Sequence, residues 1–94
     1  MKVDFYATYR QIVGGKTVEI PVARELTVRE LVEEIVTRYP PLRAELLNDQ
    51  GELYAHVHVF VNGRDAPYLV DGVETPLGPD DTVSVFPPAA GGAG

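Results

Sequence analysis

The stretch from Thr27 to Tyr39 restricts the chain more than any other. Val28, Leu31, Val32, Ile35, Val36 and Tyr39 recur at helical spacing, with Arg29, Glu33, Glu34, Thr37 and Arg38 opposite them. Thr27-Val28-Arg29-Glu30 has the form of a capping box, in which the Thr hydroxyl serves the N3 amide and the Glu carboxylate returns to the Thr N–H. Pro40-Pro41 closes the segment, because a residue before proline is pushed out of the α region. The pattern predicts a helix over 28–39. Its single apolar stripe must be buried, and the flanking segments alternate with period two. The partner is therefore a sheet.

From Lys2 to Arg10 the alternation places Val3, Phe5, Ala7 and Tyr9 on one face and Asp4, Tyr6, Thr8 and Arg10 on the other. This predicts a half-buried strand. Gly14-Gly15 supplies a turn, and Thr17 to Val22 alternates again, so the two runs read as a hairpin. Pro21 on the outward phase puts the second strand at an edge. After the main helix, Leu42 to Leu47 can add a short helical turn before Asn48-Asp49-Gln50-Gly51 breaks it. Ala55 to Val61 predicts a strand with Val57, Val59 and Val61 inward, ended by the turn pair Asn62-Gly63. Residues 64–81 hold turn residues around a brief apolar patch, Tyr68-Leu69-Val70, and read as a loop-rich crossing with one short strand; Thr82 to Phe86 is the last strand. The expected fold is α+β, a β-grasp (ubiquitin-like) with a small mixed sheet and one main helix packed across it.

Ninety-four residues make one domain, which at that size buries about two-thirds of its unfolded surface. No apolar run approaches the roughly 18 residues of a membrane span, and Asp4 stands where a signal peptide needs apolar residues. The expected location is the cytoplasm. The formal charge of −6, with Lys2 and Lys16 the only lysines, disfavours nucleic acid and suits a basic protein partner. There is no cysteine, which excludes disulfides, thiolate catalysis and cysteine metal sites. Any sulfur this protein handles must travel on another group.

Catalytic candidates are few. His56 and His58 stand two apart on the expected strand and would share a face, but zinc needs three or four ligands; a solvated or hydrogen-bonded face is the better reading, and no metal is expected. Glu30, Glu33 and Glu34 suit the first half of a helix and its wet side. Ser84 is the single serine, lies in a strand and has no nucleophile elbow around it; no phosphate-loop or dinucleotide glycine spacing occurs. The chain is expected to be a substrate or partner of enzymes, not an enzyme.

The C-terminus carries the remaining signal. Val83-Ser84-Val85-Phe86 leaves the body as a strand, Pro87-Pro88 stops it, and Ala89-Ala90-Gly91-Gly92-Ala93-Gly94 has no side chain able to bury apolar area. One reading is a frayed end. The other is a threading device, since residues without β-carbons let a backbone enter a narrow channel and bring a carboxyl group to a reaction centre. Residues 1–86 would be the β-grasp body and 87–94 the tail.

These residues resemble the MoaD/ThiS superfamily of ubiquitin-like sulfur carriers, and MoaD-like proteins (the small subunit of molybdopterin synthase) in particular. The likeness rests on Val83 to Gly92, with Val3-Asp4-Phe5-Tyr6-Ala7, Thr27-Val28-Arg29-Glu30-Leu31, Val59-Phe60-Val61-Asn62-Gly63-Arg64, Thr75-Pro76-Leu77 and Asp80-Asp81-Thr82-Val83 following in the family's order. The resemblance implies that an ATP-dependent (E1-like) activating enzyme adenylates the C-terminal glycine, here Gly92 beside Gly91. A sulfur donor would then make the thiocarboxylate. Phe86, Pro87, Pro88, Ala89 and Ala90 would form the spacer, and an exposed apolar sheet face would dock partners. No cofactor would be bound permanently, since ATP is used by the activating enzyme.

The family's diglycine is usually terminal, whereas Ala93-Gly94 follows it here. Removal of Ala93 and Gly94 by a processing protease would expose Gly92; the alternatives are activation at Gly94 or no activation. The phenylalanine-diproline ending leans towards molybdopterin (molybdenum/tungsten cofactor) biosynthesis, with a molybdopterin synthase large subunit as acceptor. Carriers for thiamine, cysteine or tRNA thiolation, a ubiquitin-like protein modifier, and a β-grasp interaction module with an idle tail are the rivals.

Overall fold

A computed structural model describes residues 1–21 and 25–87. Strand β1 (Lys2–Phe5) is followed by helix α1 (Thr8–Val13) and strand β2 (Thr17–Glu19). Strand β3 (Leu26–Thr27) leads into helix α2 (Val28–Arg38), a 3-10 turn at Pro40–Leu42 and helix α3 (Arg43–Leu46). Strands β4 (His58–Val61), β5 (Arg64–Asp65), β6 (Pro76–Leu77) and β7 (Thr82–Phe86) complete the chain, with 3-10 turns at Ala66–Tyr68 and Gly72–Glu74.

The main sheet has the order β2-β1-β7-β4-β5. Its central pair, β1 and β7, is parallel, and the outer pairs are antiparallel. First and last strands side by side with one helix across the sheet is the β-grasp. A second ladder joins β3 to β6, antiparallel, beneath the start of α2. As the Pro21 phase predicts, β2 is an edge strand.

Alternation decides which face is buried. Val3, Phe5, Val59, Val61, Val83 and Val85 point inward and meet Val28, Leu31, Val32, Ile35 and Val36 of α2. Both halves of the capping box form: Glu30 N–H donates to Thr27 Oγ1 at 3.2 Å, and Thr27 N–H donates to Glu30 Oε1 at 2.9 Å. The helix stops at Arg38 with Tyr39 as its cap, one residue before the predicted end. The helical turn expected within Leu42 to Leu47 is present as α3, which buries Leu46 beside Leu42 and Leu47.

The first hairpin needs correction. The predicted strand from Lys2 to Arg10 ends at Phe5, and residues 8–13 are helical. Gly14 is the left-handed C-cap of α1 (φ 83°), its N–H donating to Arg10 O at 2.9 Å, and not the tip of a tight hairpin turn. Tyr9, Ile12 and Val13 reach the core at helical spacing, so the buried position of Tyr9 arises from a helix and not from strand alternation. The strand expected from Thr17 to Val22 is assigned only to Glu19, although Ile20 is fully buried; Val22 lies outside the described residues. The strand expected from Ala55 begins at His58. Residues 64–81 hold two short strands, β5 and β6, where one is expected, and the Tyr68-Leu69-Val70 patch lies between them with Tyr68 and Val70 exposed.

Ala7 takes φ 54°, ψ −129°, a region a β-carbon disfavours, where the chain turns from β1 into α1. Ala7→Gly relieves that cost, of order 1–3 kcal/mol, and returns part of it through the freer unfolded chain. The expected net gain is about 1 kcal/mol, read from the urea midpoint. A destabilised variant would show that Ala7 is unstrained.

Asn62 and Gly63 both have positive φ and make the two-residue turn between β4 and β5. Asn62 also ties the approach to β7: its N–H donates to Thr82 O at 2.8 Å, and its side-chain oxygen accepts from Thr82 N–H at 2.9 Å. Asp81 Oδ1 takes the Asn62 amide at 3.1 Å, and Asp81 Oδ2 takes Gly78 N–H at 2.8 Å. Asn62→Ala loses two of these bonds and keeps the left-handed backbone, so it should cost about 1–3 kcal/mol in chemical denaturation.

Burial pushes the Tyr9 phenol up to about 12, and the Glu45 carboxylate adds to the effect. In the unfolded chain the same phenol ionises near pH 10. From about pH 10 to about pH 12 the unfolded state binds fewer protons than the folded one, so stability falls as pH rises through that window and is unaffected below it. Tyr9→Phe should remove this decline, and urea midpoints across the window test it.

Candidate functional site: the root of the C-terminal tail

Strand β7 runs up the centre of the sheet, so the chain leaves it beside two neighbours. Parallel pairing sets Phe5 against Val85, and Tyr6 N–H donates to Val85 O at 3.3 Å. Antiparallel pairing sets His58 against Phe86 and Phe60 against Ser84. The ends of β1 and β7 and the start of β4 therefore meet where Pro87 succeeds the last strand.

On the outer face of the sheet the meeting point is aromatic. The Tyr6 and Phe86 rings stack with centroids 4.2 Å apart and planes 8° from parallel. Phe60 meets Phe86 edge-on at 5.3 Å and 72°, and His58 lies 6.3 Å from Phe60. The Lys16 ammonium sits 5.6 Å from the Tyr6 ring centre. Such ring pairs are worth about 0.5–1.5 kcal/mol each beyond area burial, and an exposed cation on a ring about 0.5–1. Phe60 and Phe86 remain only half-buried, as outer-face side chains of a sheet whose single main helix covers the other side.

His58 Nδ1 lies 2.9 Å from Asp65 Oδ2, which turns the imidazole along the sheet. Asp65 Oδ1 is buried with no hydrogen-bond partner among the described residues. His56 does not join this group. It stands in the turn before β4 and stacks on Tyr54 at 4.7 Å, so the shared strand face expected for His56 and His58 does not exist. Among the described residues no three His, Cys, Asp or Glu side chains are grouped to hold a metal ion. The helix acids are likewise dispersed. Glu30 caps α2, Glu33 lies 3.8 Å from Arg43, and Glu34 lies 3.6 Å from Arg38.

Of the residues singled out at the C-terminus, Phe86 is the last residue of β7, an anchor in the sheet, and Pro87 comes directly after it. Pro88, Ala89, Ala90, Gly91, Gly92, Ala93 and Gly94 lie outside the described residues. Sequence reasoning did not single out Tyr6, Phe60 or Lys16. The available signal was that Tyr6, Phe60 and Phe86 are bulky aromatics on the outward phase of alternating strands. What joins them is the β1–β7 register, which no local pattern reveals.

Among the described residues, the last strand thus ends on an outward aromatic cluster immediately before the C-terminal segment. The sequence profile of the ThiS family matches residues 3–92. The chain belongs to the ThiS family. Within the wider MoaD/ThiS superfamily it is 40% identical over 92 residues to small archaeal modifier protein 3 of Haloferax volcanii, with 98% of each chain covered. It is 36% identical over 70 residues to an Archaeoglobus fulgidus protein assigned as a sulfur carrier, covering 74% of this chain and 78% of that one. A solved Pyrococcus furiosus structure, assigned as molybdopterin converting factor subunit 1, superposes with a TM-score of 0.73 at 32% identity, covering 93% and 94% of the two chains. The ThiS-family match ends at Gly92, the second residue of the diglycine and two short of Gly94. No helix among the described residues is long and apolar enough to cross a membrane.

Proposed function

We propose that this ThiS-family protein is a sulfur carrier whose activated group is its own C-terminal carboxylate. The observation that carries the reading is β7 itself: a central strand, locked on both sides, that ends in an aromatic anchor directly before a Pro-Pro-Ala-Ala-Gly-Gly run. An ATP-dependent activating enzyme lets the glycine carboxylate attack the α-phosphorus of ATP, and pyrophosphate departs. Sulfide from a donor then attacks the carbonyl carbon and AMP departs, which leaves a thiocarboxylate. A chain without cysteine must carry sulfur in some such way.

Gly92 supplies the carboxylate in this reading, and Ala93-Gly94 is removed first. The likeness to the Pyrococcus protein favours a pterin precursor as the sulfur acceptor, delivered through docking on a synthase large subunit. The likeness to the Haloferax modifier favours a second use of the same adenylate, in which a lysine amine replaces sulfide and an isopeptide bond forms.

Intact mass of the protein from its own cells, before and after incubation with ATP, activating enzyme and a sulfur donor, tests the reading. Loss of the last two residues and then exchange of one oxygen for sulfur is the expected result. A full-length mass that never changes overturns it. Isopeptide-linked adducts in lysate, with no thiocarboxylate, would replace the carrier by the modifier.

A further inference from the structure

We propose that Tyr6 is a positioning residue for the tail: its ring, stacked on Phe86, sets the direction in which the chain leaves β7 and so delivers the C-terminal carboxylate to the activating site. The inference rests on the reading that this carboxylate is activated. It concerns the outer face of the body and not the glycines.

Phe86 is the last side chain before Pro87, and three contacts hold it. Tyr6 covers its face at 4.2 Å, Phe60 meets it edge-on at 5.3 Å, and His58 pairs with it across the sheet. Lys16 Nζ lies 5.6 Å from the Tyr6 ring centre, and the Tyr6 backbone N–H donates to Val85 O. The next residue, Ala7, adopts the disfavoured φ of 54° that turns the chain away immediately after Tyr6. Strained backbone persists where the surrounding structure over-determines it, and here it ends β1 with the Tyr6 ring flat on Phe86.

The mechanical consequence comes from the sequence beyond Phe86. Proline fixes its own φ, so Pro87 removes one of the rotations through which a direction set at Phe86 would be lost. A misplacement of about 1 Å at a reacting centre can cost about 100-fold in rate. Rigidity at the root therefore matters more to the chemical step than to docking.

Kinetics of ATP–pyrophosphate exchange with the activating enzyme of the same cells, with carrier concentration varied, separate the two effects. Tyr6→Ala should lower kcat about 10–100-fold with KM for the carrier little changed, and Tyr6→Phe, which keeps the stack, should restore wild-type kcat. Ala7→Gly provides the control for folding: it frees the backbone beside Tyr6 while relieving strain, so kcat should fall as the melting temperature rises. A merely structural role cannot produce that opposition. A raised KM with unchanged kcat in Tyr6→Ala would make Tyr6 a docking contact and overturn the proposal, as would unchanged kinetics in Tyr6→Ala and Ala7→Gly together. Absence of exchange with the wild-type protein would remove the activation reading itself, a result distinct from either.

Discussion

Deleting Gly91 through Gly94 is expected to abolish pyrophosphate exchange and thiocarboxylate formation, by a factor of at least about 100, while the melting transition stays within a degree or two of wild type. The shortened chain still ends in a carboxylate, so the loss is one of reach. Compared with a chain ending at Gly92, it stops two residues early, about 7 Å short at the extended rise. It also ends on Ala90, whose β-carbon would occupy the narrow part of a channel shaped for glycine. The body is untouched because, among the described residues, every core side chain lies between Met1 and Val85. Activity retained by the truncated chain would refute tail activation and favour an interaction module that works through its folded surface alone. The single changes Gly91→Ala and Gly92→Ala, made in protein ending at Gly92, should slow activation in the same direction without affecting folding.

Phe5→Ala is expected to cost about 3–5 kcal/mol of folding stability. Phe5 is fully buried on β1, at the register position beside Val85 and under α2, so its removal leaves a cavity beneath the parallel central pair. A domain of this length has a total stability of roughly 5–14 kcal/mol, so a large part of it disappears. Urea unfolding monitored by circular dichroism gives the number, and a cost below about 1 kcal/mol would mean that the core closes over the gap. The neighbouring position provides the contrast. Tyr6 lies one residue on and faces the other side of the sheet, so Tyr6→Ala should spare most of the stability and affect the reaction instead. Two adjacent residues thus separate fold from function, because successive side chains of a strand point to opposite faces.

Much of the fold was legible because it is set by short-range physics. The capping box, the apolar stripe and the prolines define α2 to within one residue. Asn62-Gly63 forms the turn it predicts, and Thr82 to Phe86 is β7 with the expected inward and outward phases. Residues 6–15 depart from the expected hairpin for an equally physical reason. Over so few residues, Val3, Phe5, Ala7 and Tyr9 satisfy a period of two, while Tyr9, Ile12 and Val13 satisfy helical spacing just as well. The arbiter is β7. Beyond Phe86 comes Pro87, with no N–H to offer a ladder, so β1 has no partner past its own end and the chain satisfies its backbone in a helix instead.

The candidate site divides along the same line. Its tail is legible as composition: two prolines, then only alanines and glycines, in a chain with no cysteine, the features on which the proposed carboxylate chemistry rests. The root of the tail is a matter of tertiary structure. Tyr6 and Phe86 are eighty residues apart in the chain and meet only because the first and last strands pair in parallel at one register. Local sequence determined what each strand would bury and where the last one would stop. Only the assembled sheet, a non-local arrangement stabilised by the core beneath it, decided which aromatic side chain would lie against the end of the last strand.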